Sequence, residues 1–334
     1  MTNEPPMPPL NGGGQGGGLA RMGGALVAML RKVRRRPSRR AERALLLTSF
    51  LIFVVVAVVG AANFPEVEEV RWWLILLAGG LGMPLNVILN AVEFQIIGRF
   101  VGQRVRFTRA TKVTVVGSAA NMLPIPGSTL VRIQALVADE ASYRGAITAS
   151  VAVGIFSVGA NLGLAGVALS TRADPLVVGG LLGASALAVL AAVASIRVSF
   201  DRTVTLRWGG AAFAIEILYA STAAVRLYLI LLGLGLDIGL PAAFALTAAG
   251  SLATAVGFFP GGLGIREVLV GLISPLVGVP VAAGMVGQVV TRLFWFGVLA
   301  VAALILFVRE GRQAFRGEQA DEPSPAEVPP TGEL

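Results

Sequence analysis

The sequence predicts an all-α, polytopic helical membrane protein with about six full spans, and three observations lead to this prediction. Hydrophobic residues make up 55% of the chain and charged residues 14%, whereas soluble domains carry about 25% charged residues. The mean hydropathy is +0.78. The charges are clustered, and the apolar runs between them are long enough to cross about 30 Å of hydrocarbon at roughly 1.5 Å per residue.

The apolar runs define the spans and the domain limits. The predicted spans cover residues 45–63, 72–92, 146–170, 175–196, 208–235 and 281–307. Residues 1–43 are predicted to be a disordered Gly/Pro-rich tail that ends in a basic cytoplasmic block. Residues 44–308 form the predicted membrane domain, and residues 309–334 a disordered, acidic and Pro-rich cytoplasmic tail.

The charges between the spans predict the topology, because Lys and Arg concentrate on the cytoplasmic side of a membrane. Basic clusters at 31–43, 99–112, 197–207 and 309–316 alternate with loops at 66–71, 172–174 and 237 that carry no net positive charge. This alternation predicts a multi-pass protein of the cell (plasma) membrane with both termini in the cytoplasm. The net charge of +8 is therefore interpreted as a topology signal and not as nucleic-acid binding.

The chain has no cysteine and no histidine. Their absence excludes disulfides and thiol chemistry, and it removes the commonest general base and the commonest transition-metal ligand. The Gly-rich stretch near the N-terminus has neither the strand nor the Lys-Ser/Thr pair of a phosphate-binding loop. We therefore expect no catalytic residue, no metal, no cofactor and no enzymatic activity.

Two further apolar segments, residues 113–138 and 240–279, are interrupted in the middle. The interruptions contain Pro124, Pro126 and Gly127 in the first segment and Pro260, Gly261, Gly262 and Gly264 in the second. Proline removes a backbone donor and glycine widens the accessible dihedral angles, so each interruption ends a helix within or near the membrane. By the charge rule the segments enter from opposite faces, which predicts two re-entrant segments in an inverted repeat.

Broken helices within a membrane indicate a binding site, because their unpaired backbone groups are tolerated only inside the protein or along a wet cavity. The half-helices are expected to point their N-terminal amides, which carry partial positive charge, into that cavity. The candidate residues for binding an anionic headgroup are Arg132, Arg266, Glu267, Arg292, Gln288 and Asn121. In this hypothesis Glu267 balances or orients an arginine. The alternative is two ordinary kinked spans whose arginines reach the headgroups.

Other charged residues in the spans receive a simpler interpretation. Glu93 and Arg99 are interpreted as markers of the cytoplasmic end of the second span. Glu216 and Arg226 lie ten residues apart in one span, on different faces of the helix, so each is expected to find a partner on another helix or at the interface.

The stretches Asn121–Arg132 and Pro260–Glu267 resemble the transmembrane region of lysylphosphatidylglycerol synthases and related flippase-like integral membrane proteins. The resemblance covers roughly residues 44–307 and includes Gln288–Arg292 in the closing span. It departs from the family at Gly127-Ser128, where glutamate usually follows the glycine. The resemblance implies that an anionic or aminoacylated phospholipid, or a lipid-linked headgroup, moves between leaflets without synthase activity.

Two other functions stay open from the sequence. The chain could be a membrane subunit or scaffold for a glycosyltransferase or a lipid-modifying enzyme. It could also be an intramembrane enzyme acting on lipid phosphate, which the missing histidine and cysteine disfavour. The expected partners are membrane lipids with an anionic headgroup, a lipid-modifying enzyme or glycosyltransferase in the scaffold case, and no nucleic acid. Homo-oligomers stay open.

Overall fold

The computed structural model describes residues 39–66, 69–121, 127–139, 141–255 and 262–320. Within these ranges the regular secondary structure is helical, and no strand occurs. The predicted all-α fold is therefore confirmed. The predicted breaking residues Pro124, Pro126, Pro260 and Gly261 lie outside the described residues, as do residues 1–38 of the N-terminal tail and residues 321–334.

The helices follow one another with short connections. They are α1 (Arg39–Ala62), α2 (Trp72–Gly80), α3 (Gly82–Phe100), α4 (Phe107–Ala120), α5 (Gly127–Val137), α6 (Tyr143–Leu169), α7 (Pro175–Ser199), α8 (Arg202–Gly233), α9 (Leu240–Ala255), α10 (Ile265–Ile273), a 3-10 helix (Ser274–Val277) and α11 (Val281–Ala320).

Membrane-length helices account for most of the predicted spans. Within the described residues, five stretches are long and apolar enough to cross a bilayer: Trp72–Phe100, Tyr143–Leu169, Pro175–Ser199, Arg202–Gly233 and Val281–Leu306. These stretches match five of the predicted spans. The first predicted span falls in α1, whose apolar part, Leu47–Ala62, is shorter. The polytopic character is confirmed, and the sixth span stays a prediction.

Two helices extend furthest beyond their predicted ends. The second predicted span ends at residue 92, but α3 continues to Phe100, because Glu93 and Gln95 both have partners inside the protein. Similarly, α11 continues through Ala320, beyond the boundary predicted at residue 308. Residues 309–320 are rich in Arg, Glu, Gln and Ala, which favour helix, so this part of the predicted disordered tail is helical.

The first interrupted segment is an antiparallel helical hairpin of α4 and α5. At its open end, Arg109 donates to the carbonyl oxygen of Ala135 at 3.2 Å. At the break, the two helices touch so closely that a Cβ on Gly127 would lie 2.2 Å from the carbonyl oxygen of Ala120. The predicted interruption of residues 113–138 is thus confirmed by the end of α4 and the start of α5.

The second interrupted segment forms a corresponding hairpin of α9 and α10. Leu246 of α9 and Val270 of α10 belong to one buried cluster, and Gly250 of α9 lies under the Arg266 side chain. The start of α10 follows Gly264, whose φ of +83° lies in the left-handed region that favours glycine. The predicted interruption of residues 240–279 is confirmed in the same way.

The remaining helices enclose these hairpins. Small residues allow α6 and α7 to pack closely, and Ser185 of α7 donates to the carbonyl oxygen of Gly159 at 2.7 Å. Among the 18 most apolar consecutive residues of α7, only 6% are buried inside the protein, and among those of α11 17% are buried. These two helices therefore present most of their apolar surface to the surroundings, which suits contact with lipid tails.

Candidate functional site

A partly enclosed cavity of about 190 Å³ is lined by residues that flank both helix breaks and by residues of the surrounding helices. It is lined by Met83, Asn86 and Asn90 of α3, Ser118 of α4, Asn121, Ser128 of α5, Tyr219 and Arg226 of α8, Leu263, Arg266 of α10, and Gln288, Thr291, Arg292, Trp295 and Phe296 of α11. The lining contains three arginines and, within the described part of the chain, no carboxylate. The cavity is therefore cationic.

Arg292 reaches the cavity from α11 and is held by Glu267 of α10. Its Nε donates to Oε1 of Glu267 at 2.9 Å, and Glu267 is 0% exposed. The other carboxylate oxygen accepts from the backbone N–H of Gly264 at 2.8 Å. Glu267 thus closes the first turn of α10 and orients Arg292, without itself lining the cavity.

Arg266 precedes Glu267 on α10 and also lines the cavity. Its side chain passes over Gly250 of α9, where an added Cβ would lie 2.8 Å from Nε. That Nε is buried and has no hydrogen-bond partner among the described residues. The side chain forms no salt bridge with them either. Its charge is therefore not neutralised at close range by the described part of the protein.

Arg226 of α8 supplies the third positive charge, and the sequence reasoning did not place it in the site. Its side chain is 6% exposed. The amide of Asn86 lies between this guanidinium and the hydroxyl of Thr222. In the orientation that satisfies both neighbours, the amide oxygen accepts from Arg226 and the nitrogen donates to Thr222 at 3.2 Å. The sequence does contain a signal for Arg226, because an arginine inside an apolar span is energetically costly and marks a candidate functional residue.

Arg226 and Glu216 have partners on different helices, as the sequence predicted. Arg226 contacts Asn86 of α3. The carboxylate of Glu216 is buried and lies near the side chain of Ser157 on α6. The two charged residues of α8 therefore stabilise separate helix contacts.

Gln288 and Asn121, both predicted site residues, line the cavity in different ways. Gln288 is 2% exposed, and its Oε1 has no hydrogen-bond partner among the described residues. A buried acceptor without a partner costs about 1–3 kcal/mol, so a donor from a bound molecule would relieve that cost. The Oδ1 of Asn121 instead accepts from the backbone N–H of Ser128 at 2.7 Å.

One backbone amide at the start of each half-helix is satisfied by a side chain of the protein. Asn121 accepts from Ser128 at the start of α5, and Glu267 accepts from Gly264 at the start of α10. These two amides are therefore not available to a ligand, and the expected role of the other N-terminal amides stays a prediction. The positive potential of the cavity comes mainly from the guanidinium groups.

Of the three arginines predicted to bind the headgroup, Arg132 does not line the cavity. Its Nη1 lies 2.6 Å from Oε1 of Glu93, and its Nη2 donates to Oδ1 of Asn90 at 3.1 Å. The interpretation of Glu93 as a topology marker is wrong, because Glu93 is a mostly buried ion-pair partner. Asn90 lines the cavity, so it connects this pair to the site.

The described residues contain no group of three or more Asp or Glu side chains placed to hold a metal ion. Amide and hydroxyl groups of Asn86, Asn121 and Ser128 accompany the three arginines in the cavity lining. Guanidinium, amide and hydroxyl donors together can bind the oxygen atoms of a phosphate or a carboxylate.

The fold and the site define a polytopic helical membrane protein with two broken hairpins around a cationic cavity. The family model described as the lysylphosphatidylglycerol synthase TM region matches residues 42–303. This match covers most of the chain, and the protein belongs to that family. The resemblance inferred from the two broken motifs is therefore confirmed. No curated protein matches the chain.

Proposed function

We propose that the protein is a lipid flippase-like transporter of the cell membrane, which moves an anionic or aminoacylated phospholipid or a lipid-linked headgroup between leaflets. The observation that carries this proposal is the cavity lined by Arg226, Arg266 and Arg292 without a lining carboxylate among the described residues. Charged side chains at membrane depth are costly, and they mark substrate and ion pathways.

The charge balance of the cavity favours an anionic ligand. Glu267 offsets the charge of Arg292, whereas Arg226 and Arg266 form no salt bridge with a described residue. Guanidinium groups match the geometry of phosphate oxygens and form short, charge-assisted hydrogen bonds. An anion in the cavity would also supply a counter-charge that the described residues do not give these two arginines.

The size of the cavity favours a headgroup over a whole lipid. Pockets for drug-sized ligands measure about 300–1,000 Å³, and this cavity measures about 190 Å³. A phosphate with a small polar group fits such a space, and the acyl chains have to remain outside it. The proposed transporter therefore moves the headgroup through the protein while the tails stay at its surface.

We propose an alternating movement of the two hairpins, each approaching the cavity from one face of the membrane, with both termini in the cytoplasm. In this proposal the protein is not an enzyme, and the lipid moves down the gradient that its synthesis and consumption maintain. Headgroup binding in the cavity is then one step of the transport cycle.

A reconstitution experiment tests the proposal. Purified protein is placed in liposomes that contain fluorescent phosphatidylglycerol, and the movement of the label between leaflets is followed with a membrane-impermeant quencher. We expect the wild-type protein to accelerate the movement. Arg226→Ala and Arg266→Ala should each slow it about tenfold or more, because a hydrogen bond to a charged group contributes about 1.5–3 kcal/mol.

The exposed Arg144 at the start of α6 offers a matched control. Arg144→Ala removes the same charge outside the cavity and should leave the rate unchanged. Equal rates for wild type, Arg226→Ala and Arg266→Ala would remove the cavity from the proposal. A wild-type protein that moves no lipid but co-purifies with a glycosyltransferase or a lipid-modifying enzyme would replace the transporter by the scaffold function.

A further inference from the structure

A second concavity, an apolar groove of about 720 Å³, lies between α2, α3 and α11. Its walls include Gly79 and Gly80 of α2, Val87 of α3, and Leu293 and Ile305 of α11, and every lining residue in the described part of the chain is apolar or glycine. Leu293 and Ile305 are 56% and 50% exposed. The groove is therefore open to the lipid-facing side of the protein.

The groove and the cationic cavity share two helices. On α11, Arg292 lines the cavity and its neighbour Leu293 lines the groove. On α3, Asn86 lines the cavity and its neighbour Val87 lines the groove. Consequently the polar site and the apolar site lie on two sides of the same α3–α11 contact.

One aromatic side chain stands between the two sites. Trp295 lines the cavity and packs against a buried cluster that contains Val87. The same cluster is flanked by Val298, and both valines line the groove. A molecule that occupies the cavity and the groove together would therefore pass beside Trp295.

Two glycines leave the groove open. A Cβ added at Gly80 or at Gly297 would meet no atom of a described residue within 4 Å, so larger side chains there would project into the space of the groove. Gly79 differs from them, because a Cβ there would lie 2.1 Å from the ring of Phe294. This close approach brings α2 against α11 beside the groove.

The length of the groove corresponds to one leaflet of a bilayer. Its lining on α11 runs from Leu293 to Ile305, which is about 18 Å of helix. One leaflet contributes about half of the roughly 30 Å of hydrocarbon. The groove is therefore long enough to follow an acyl chain through most of one leaflet.

We propose that the apolar groove binds an acyl chain of the same lipid whose anionic headgroup occupies the cationic cavity. This inference rests on the proposed function and adds to it: the substrate is a long-chain membrane lipid, and a free anionic headgroup is not sufficient. Because lipid tails already surround the protein, the groove selects its occupant by shape and by the tether to the headgroup, not by hydrophobicity.

Photo-cross-linking tests the inference without relying on transport. The probes are phosphatidylglycerol and phosphatidylcholine that carry the same diazirine-labelled acyl chain, each added to the purified protein in mixed micelles. Labelled peptides are identified by mass spectrometry. We expect the phosphatidylglycerol probe to label peptides containing residues 79–88 and 293–305 several-fold more than the phosphatidylcholine probe does. Equal labelling of these peptides by the two probes would overturn the inference.

Groove-filling variants provide an independent test. Gly80→Leu and Gly297→Leu lie on different helices, and each should abolish most of the preference for the phosphatidylglycerol probe. Gly180→Leu is the matched control, because Gly180 lies on α7 with open space around its Cβ position and does not line the groove. A preference that survives in both groove variants would contradict the inference. If a variant does not fold, the labelling of the wild-type protein by the two probes still tests the inference.

The results separate this inference from the proposed function. If the wild-type protein moves phosphatidylglycerol but its groove shows no probe preference, the transporter stands and the groove inference fails. If the groove shows the preference and no lipid moves, lipid binding across the two sites is supported and transport fails. If neither is seen, both proposals fail.

Discussion

The Nε of Arg292 lies 2.9 Å from Oε1 of Glu267, and this contact joins the last helix to the second broken hairpin. The other oxygen of Glu267 accepts from the backbone N–H of Gly264. A single buried carboxylate therefore closes the start of α10 and places a guanidinium at the cavity. The stability of the hairpin and the charge of the site depend on the same residue.

The first prediction concerns the loss of this carboxylate. Glu267→Gln keeps the shape of the side chain but removes the negative charge that pairs with Arg292. Removing one partner of a buried ion pair costs about 3–5 kcal/mol, so we expect a clearly lower melting temperature of the purified protein in detergent. Glu66→Gln is the control, because Glu66 is exposed, and it should melt like the wild type.

A double-variant cycle checks the cause of that loss. Glu267→Leu combined with Arg292→Leu removes both charges, so the double variant should be more stable than Glu267→Leu alone. Effects that simply add would show that the two side chains do not stabilise the protein through each other.

The second prediction separates the two arginines that align in sequence. Arg132 lies outside the cavity lining, where it pairs with Glu93 and donates to Asn90, whereas Arg266 lines the cavity without a salt bridge to a described residue. We expect Arg132→Ala to lower the melting temperature and to change the transport rate of the folded protein by less than about threefold. Arg266→Ala should slow transport about tenfold or more, since it removes a charged hydrogen-bond donor.

The comparison requires melting curves and transport rates for both variants, with rates corrected for the folded fraction. A large loss of transport in folded Arg132→Ala would return Arg132 to the binding site that its sequence position predicted. An unchanged transport rate in Arg266→Ala would show that Arg266 is not part of the binding site.

The spans and the two interruptions could be predicted from the sequence because their causes are local. A run of apolar residues that crosses the hydrocarbon forms a helix, and a proline followed by glycine kinks or ends a helix. The end of α4 at Ala120 and the start of α5 at Gly127 follow from such local rules. Arg292 and Gln288 were also found this way, because polar residues inside an apolar span are conspicuous.

The charge pairings could not be predicted because their partners are distant in sequence. Glu93 lies at the predicted end of a span, where a charged residue usually marks the edge of the membrane. Arg132 is 39 residues away in sequence, and only the folded α4–α5 hairpin brings it to Glu93. The same reason explains the wrong end of the second span, since a paired glutamate does not mark the membrane edge. The contact between Arg226 and Asn86 likewise depends on how α8 packs against α3.

The third prediction concerns topology. The chain has no native cysteine, so single cysteines report accessibility without background. Arg106 and Asp237 are exposed in loops on the predicted cytoplasmic and outer sides. In intact cells, an impermeant maleimide should label Asp237→Cys directly and Arg106→Cys only after the membrane is opened. Labelling of both from outside would contradict the opposed orientation of the two hairpins.

The fourth prediction concerns the contact between α4 and α5 at the break. A Cβ on Gly127 would lie 2.2 Å from the carbonyl oxygen of Ala120, and a backbone atom cannot rotate away as a side chain can. Gly127→Ala therefore has to push the two helices apart and displace Ser128 in the cavity lining. Overpacking of this kind costs about 1–3 kcal/mol, so we expect a lower melting temperature and slower lipid movement.

Gly183 of α7 provides the matched control for this substitution. Its Cβ position has no atom within 4 Å, and alanine is favoured over glycine inside a helix by about 1 kcal/mol. Gly183→Ala should therefore leave the transport rate unchanged and the melting temperature equal or slightly higher. If Gly127→Ala melted like Gly183→Ala, the hairpin would not need the close contact at its break. The position of Ser128 in the cavity would then have to be set by Asn121, because the side chain of Asn121 accepts from the backbone N–H of Ser128.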